Sequence, residues 1–134
     1  MVRGQATATA SSIRRVLVID DEQRIRSFTA RALSSAGFAV TEAATGPEGL
    51  TAALSDHPDL VLLDLALPGL SGEDVLRRLQ QERPRQAVLV WSATADRTAE
   101  RRCLALGARA YLHKPVSIKE LLSCIDTAGS DPSF

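Results

Sequence analysis

Asp20 and Asp21 stand side by side at the end of an apolar run, "VLVIDD", and Glu22 follows them. Like charges this close oppose one another by about 4 kcal/mol per pair at ~4 Å and an effective dielectric of ~20. A surface turn can hold such a pair in screening water, whereas a pair at the mouth of a sheet asks for a cation. Similar placements recur along the chain. Asp64 ends the run "LVLLD", Ser92 ends "AVLVWS", and Lys114-Pro115 follows "AYLH". Each residue alone has an ordinary reading as a helix cap, a local turn or a solvated lysine. Taken together, three carboxylates, a hydroxyl and an ammonium all sit at the ends of strand-like runs.

Such a set suits phosphorus chemistry. Clustered carboxylates raise one another's pKa values, and a hard divalent cation removes the conflict. Mg²⁺ prefers oxygen ligands and several retained waters, and no His or Cys lies in the pattern to favour zinc. Asp64 has the most buried context, so its carboxylate is the candidate nucleophile toward phosphorus. The cation and Lys114 would supply positive charge to phosphoryl oxygens, and Ser92 could donate a hydrogen bond to one of them. His113 adjoins Lys114, but strand alternation turns it away, so it reads as structural.

The elements that must position these residues alternate regularly. "VLVI" (16–19) is a continuous apolar run, as expected of a strand buried on both faces. Ile25, Phe28, Ala32 and Leu33 then fall at helical spacing, and Gly37 stops that helix. "FAVTEA" (38–43) is a weaker, more polar strand suited to an edge. Thr45 and Glu48 form a capping box for a second helix, ended at His57-Pro58. "LVLLDL" (60–65) is a dense central strand, and a third helix starts at Ser71-Gly72-Glu73-Asp74 and closes before Pro84. "AVLVWSA" (87–93) is a fourth buried strand. Asp96 caps a helix running to about Leu106, which Gly107 stops, and "AYLH" (110–113) is a short fifth strand. Ser117 and Glu120 open a last helix carrying Ile118, Leu121, Leu122 and Ile125 on one face. Five strands alternating with five helices predict an α/β fold, a single doubly wound parallel sheet with right-handed crossovers. Ligands of such sheets bind outside the carboxyl ends of the strands, where the polar residues above all fall.

Composition agrees with one soluble domain. The chain has 134 residues, too few for two ordinary domains, and 45% of them are hydrophobic. Sixteen basic and sixteen acidic residues cancel, so bulk charge gives no attraction to nucleic acid or membrane. No apolar run approaches the ~20 residues of a membrane span. The two cysteines, Cys103 and Cys124, make no disulfide framework, which points to a reducing, cytoplasmic setting. The domain is expected over 14–128. Segments 1–13 and 129–134 read as disordered tails.

The segments "VLVIDDE", "LVLLDLALPGLSGEDVL", "VWSATAD" and "GARAYLHKPVSIKELL" resemble the receiver domain of bacterial two-component response regulators. The resemblance implies a flavodoxin-like sheet of order 2-1-3-4-5. It further implies that Asp64 is the phosphoacceptor, with Mg²⁺ held by Asp21, Asp20, Asp64 and the backbone carbonyl of Ala66. Lys114 takes the place of the lysine that pairs with the phosphoryl group, Ser92 that of the switch hydroxyl, and Tyr111 that of the switch aromatic. In many relatives the peptide matching Lys114-Pro115 is cis. The partners implied are a histidine kinase or phosphotransfer protein upstream and an unknown downstream protein. The latter would be met by the fourth helix, fifth strand and fifth helix, where Arg97, Arg101, Arg102, Arg109 and Lys119 would suit an acidic surface. A homodimer is left open, although Arg109 departs from the acidic residue used in one subfamily's dimer contact. The chain itself is expected to be a phosphoacceptor switch rather than an enzyme, with no direct nucleic-acid or membrane contact. Trp91, unusual beside Ser92, reads as a core aromatic.

Other readings differ in class. A phosphatase of the haloacid dehalogenase type needs a second Asp two residues after the nucleophile, where Ala66 stands. A nucleotide or flavin carrier needs a first loop that cradles phosphate, and Asp20-Asp21-Glu22 would repel it. A receiver fragment of a larger DNA-binding regulator or hybrid kinase also fits the pattern, whereas the complete residue set disfavours a docking module that is never phosphorylated.

Overall fold

A computed structural model describes residues 13–94 and 96–129. The elements are β1 (Arg15–Ile19), α1 (Gln23–Ser35), β2 (Ala39–Ala43), α2 (Gly46–Asp56), β3 (Leu60–Asp64), α3 (Gly72–Glu82), β4 (Ala87–Ser92), α4 (Arg97–Ala105), β5 (Ala110–His113) and α5 (Ile118–Gly129). All pairings are parallel and the strand order is β2-β1-β3-β4-β5. The fold is therefore the doubly wound, flavodoxin-like sheet that the sequence predicts.

Local signals set the boundaries. Thr45 accepts the Glu48 N–H, and the Glu48 carboxylate reaches back to the Ala44 N–H. Ser71, Asp96 and Ser117 accept N–H donors from Asp74, Thr98 and Glu120 at the starts of α3, α4 and α5. Gly37 and Gly107 follow α1 and α4 at φ 104° and 114°, a backbone region that a side chain disfavours. The tails expected at 1–13 and 129–134 lie outside the described residues except at their inner ends. There Ile13 is buried in the core and Gly129 ends α5.

Strand alternation divides the core in two. Val16, Val18, Leu60, Leu62, Leu89, Trp91 and Leu112 face α1 and α5, packing with Leu33, Leu121 and Ile125. Leu17, Ile19, Val61, Leu63, Val88, Val90 and Tyr111 face α2, α3 and α4, packing with Ala53, Leu76, Leu79 and Cys103. Cys103 and Cys124 thus lie on opposite sides of the sheet and both are free thiols, as the winding requires. β2 is the most exposed strand, in keeping with its polar sequence and edge position. The same alternation aims residues at the carboxyl edge. Asp20, Asp64 and Lys114 continue the α1/α5 side, while Ser92 and His113 continue the other.

Candidate functional site

Asp20, Asp21 and Asp64 converge at the carboxyl ends of β1 and β3, with one oxygen from each lying within 4.8 Å of the others. Asp20 and Asp64 are buried and Asp21 is exposed. The cluster is therefore closed beneath and open to solvent on the Asp21 side. Lys114, carried past the end of β5, places Nζ 2.9 Å from Asp20 Oδ2 and 3.6 Å from Asp64 Oδ1. Its backbone N–H donates to Ser92 O at 2.8 Å, and Lys114-Pro115 is a cis peptide.

The two buried carboxylates differ in how well they are satisfied. Asp20 Oδ1 accepts the Glu22 N–H at 2.9 Å, and Lys114 occupies Oδ2. The Asp20 carbonyl accepts from the Arg26 guanidinium at 2.8 Å, and its N–H donates to Ala43 O. Arg26 is itself held by Glu42 of β2 at 3.0 Å. The acidic loop is thus fastened to its neighbours through every polar group of Asp20. Among the described residues, the Asp64 carboxylate receives only the Ala66 N–H, at 3.3 Å, and the more distant Lys114. Burial lifts its carboxyl to about 6; Lys114 pulls the other way, and Asp20 and Asp21 add to the rise. Asp64 is the less satisfied of the two buried carboxylates of the cluster.

Gly72 lies directly beneath. A Cβ there would stand 2.3 Å from the Asp64 carbonyl oxygen and 2.6 Å from Leu65 Cα. Only glycine lets the start of α3 approach the strand end this closely.

An all-oxygen donor set, anionic and open on one side, fits a hard divalent cation. No described His or Cys joins it. The sequence-predicted residues Asp20, Asp21, Asp64 and Lys114 are therefore brought together. Ala66 adjoins Asp64 through its N–H. Ser92 accepts the Thr94 N–H at 3.1 Å. Tyr111 is buried on the same side of the sheet as Ser92, its hydroxyl lacks a well-formed hydrogen bond, and burial pushes its pKa up. His113 points away from the cluster toward Glu100, as expected.

Two features escaped the sequence reading. Arg26 anchors the acidic loop, and its partner Glu42 lies on another strand. Trp91 is the core aromatic expected, but it also lies under Lys114, whose Nζ is 4.8 Å from the ring centroid. The basic surface on α4 is smaller than the sequence suggests. Arg102 makes a two-oxygen contact with Glu73 of α3, and Arg109 donates to Ala128 O and Arg85 O at the far end of the sheet. Arg97 and Arg101 stay exposed, beside the half-exposed Leu104.

Residues 16–126 match the family model of the response regulator receiver domain. The chain belongs to this family. It is 39% identical over 113 residues to the transcriptional regulatory protein YkoG of Bacillus subtilis, covering 84% of this chain and 50% of that protein. It is 40% identical over 110 residues to the response regulator MprA of Mycolicibacterium vanbaalenii, covering 81% and 47%. Identity to the DNA-binding transcriptional regulator NtrC of Escherichia coli is 35% over 113 residues, covering 84% and 24%. The chain thus spans half or less of the length of these curated relatives. Among solved structures, a CheY-like receiver domain from Methanospirillum hungatei superposes with a TM-score of 0.82 at 32% identity, covering 85% of this chain and 91% of that one. A receiver domain from Clostridium thermocellum gives 0.83 at 32%, covering 87% and 94%. Among the described residues no helix is long and apolar enough to cross a membrane.

Proposed function

We propose that this receiver takes a phosphoryl group onto Asp64 from the phosphohistidine of a histidine kinase or a phosphotransfer protein. The observation that carries the reading is a buried, under-satisfied carboxylate flanked by two others and an ammonium 3.6 Å away. An Asp64 oxygen attacks phosphorus as the N–P bond breaks. The bond pair leaves with the imidazole nitrogen, which departs as neutral imidazole after taking up one proton. Asp20, Asp21 and Asp64, with the Ala66 carbonyl, would hold Mg²⁺, and that ion supplies positive charge to the phosphoryl oxygens. Lys114 is already within reach of both Asp20 and Asp64 and shifts toward the acyl phosphate as it forms. The chain is a switch that takes part in its own modification, and its setting is cytoplasmic.

The output follows from the other side of the sheet. Ser92 is drawn toward the new phosphoryl oxygens, and Tyr111, already inward, is held there more firmly. Phosphorylation in this way shifts an equilibrium between arrangements of α4, β5 and α5. Arg97, Arg101 and Leu104 suit an acidic, partly apolar partner on this surface, whether an output domain of the same polypeptide or a separate protein. The upstream partner meets the opposite side. A groove of 490 Å³ between α1 and α5 is lined by Ile25, Phe28, Val116, Ile118 and, at its inner end, Lys114. Phe28 is 65% exposed there, an apolar anchor beside the mouth of the site.

Labelling with a small phosphodonor, such as acetyl phosphate, in the presence of Mg²⁺ tests the reading. Wild-type chain should form an acid-stable, base-labile adduct, and Asp64→Asn should form none. Undiminished labelling of Asp64→Asn would overturn the assignment.

A further inference from the structure

We propose that Trp91 is a positioning residue for Lys114: the indole face holds the ammonium above the acidic cluster while leaving its donors free for oxygen partners. The inference rests on the reading of Asp64 as the phosphoacceptor. It starts from the register of the sheet. Trp91 pairs with Asp64 on one side and Leu112 on the other. Two residues beyond Leu112, Lys114 returns to the same face and folds back over the ring. Nζ is 4.8 Å from the ring centroid, 2.9 Å from Asp20 Oδ2 and 3.6 Å from Asp64 Oδ1.

Packing alone does not account for an indole here. Trp91 is 3% exposed, yet its Nε1–H has no hydrogen-bond partner among the described residues. A buried donor left unpaired is unfavourable, and a Leu or Phe would fill an apolar core without one. The compensating contact is a cation over an aromatic face, which a Leu cannot make and a Phe makes more weakly than an indole.

The chemistry of that contact suits a mobile catalytic ammonium. A further carboxylate would fix the direction of one N–H and add charge to a cluster already crowded with anions. A ring face attracts the cation without accepting a directed hydrogen bond from it. Nζ can then turn from Asp20 to the oxygens at Asp64 while staying over the ring. The long lysine stem, otherwise rich in rotamers, is restricted to the arc that reaches both carboxylates.

Lys114 and Lys119 are the only lysines in the chain, so selective lysine labelling gives a two-line spectrum in which Lys119 serves as the internal reference. In metal-free wild type, the Lys114 Hε signals should lie upfield of those of Lys119 through the ring current. The displacement should shrink in Trp91→Phe and vanish in Trp91→Leu. With saturating Mg²⁺, labelling by acetyl phosphate should slow about 5- to 10-fold in Trp91→Leu and about 2- to 3-fold in Trp91→Phe, the order of cation–ring strength. Mg²⁺ affinity, read by calorimetry, should change by less than about twofold, because no proposed ligand is touched. Coincident Lys114 and Lys119 signals in wild type, or a folded Trp91→Leu that labels at the wild-type rate, would overturn the proposal. If Trp91→Leu does not fold, Trp91→Phe decides by the same two readouts, and no change in either counts against it. A wild type with a displaced Lys114 signal but no labelling would instead refute the phosphoacceptor reading and leave the contact standing.

Discussion

Asp59 and Asp64 flank the same strand, five positions apart, and are used in opposite ways. Asp59, just before β3, accepts the N–H groups of Arg14 and Arg15 on a single oxygen at 2.9 Å each, and its own N–H donates to Arg15 O. It is a fastener that ties the entrance of β1 to β3. Asp64, at the other end, is buried with one long backbone hydrogen bond and two neighbouring anions. Among the described residues, no buried side-chain polar atom at the amino end of the sheet lacks a partner. Gln86 donates to Pro58 O and Ala87 O, and Arg83 donates to Leu54 O and contacts His57. On the proposed reading, reactivity belongs to the end where satisfaction is withheld, which is one physical reason that an aspartate can be structural at one terminus and chemical at the other.

Exchanging an oxygen for nitrogen at each aspartate gives the widest separation. Asp64→Asn should abolish labelling, whereas Asp59→Asn should leave its rate unchanged; equal losses would erase the contrast. Next, Gly72→Ala forces a methyl against the Asp64 carbonyl and should destabilise the fold by about 3 kcal/mol in a urea titration, with labelling reduced as well. Gly69→Ala, which meets no atom within 4 Å but has φ 72°, is its control for backbone strain alone.

Stability against pH separates the two aspartates by sign. The Asp64 pKa is raised on folding, so its charge opposes folding above about pH 6 and has no such effect below about pH 4. In metal-free buffer at pH 8, Asp64→Asn should therefore stabilise the protein by about 1–2 kcal/mol, less than the full shift implies because the site is open to screening solvent on the Asp21 side. The gain should fade as the pH falls through 6. Asp59→Ala should instead destabilise by about 1 kcal/mol through the loss of two solvent-exposed backbone hydrogen bonds. Thermal melts of both variants across pH 4–8 decide this, and a destabilised Asp64→Asn at pH 8 would contradict the account. Smallest in size, Mg²⁺ at tenfold its dissociation constant should raise stability by about 1.4 kcal/mol. Asp21→Asn should lose most of that increment and Asp59→Asn none of it.

The parallel sheet was legible because its signals are local: apolar runs, caps at Thr45, Ser71, Asp96 and Ser117, and glycines at the helix ends. The cluster was legible for a related reason. In a doubly wound sheet the strand ends share one edge, so knowing where each run stops is enough to bring Asp20, Asp21, Asp64 and Lys114 together. Long side chains were not legible. Arg26 finds Glu42 across 16 positions and Arg102 finds Glu73 across 29. Spacing within a helix carries no information on such partners, because they belong to other elements and depend on rotamers set by packing. Hence Arg102 and Arg109 read as free surface charge when each is in fact tied down. Trp91 was read correctly as core, but the cation above it depends on how Lys114 folds back after β5, which no run of residues specifies.

Alternation along β4 sends Trp91 to one compartment and Ser92 to the other, although they are consecutive. Inserting or deleting a single residue upstream within this strand would exchange their destinations and leave a hydroxyl beneath the lysine and an indole against Tyr111. The length of β4 is therefore as strictly specified as the identity of its last two residues.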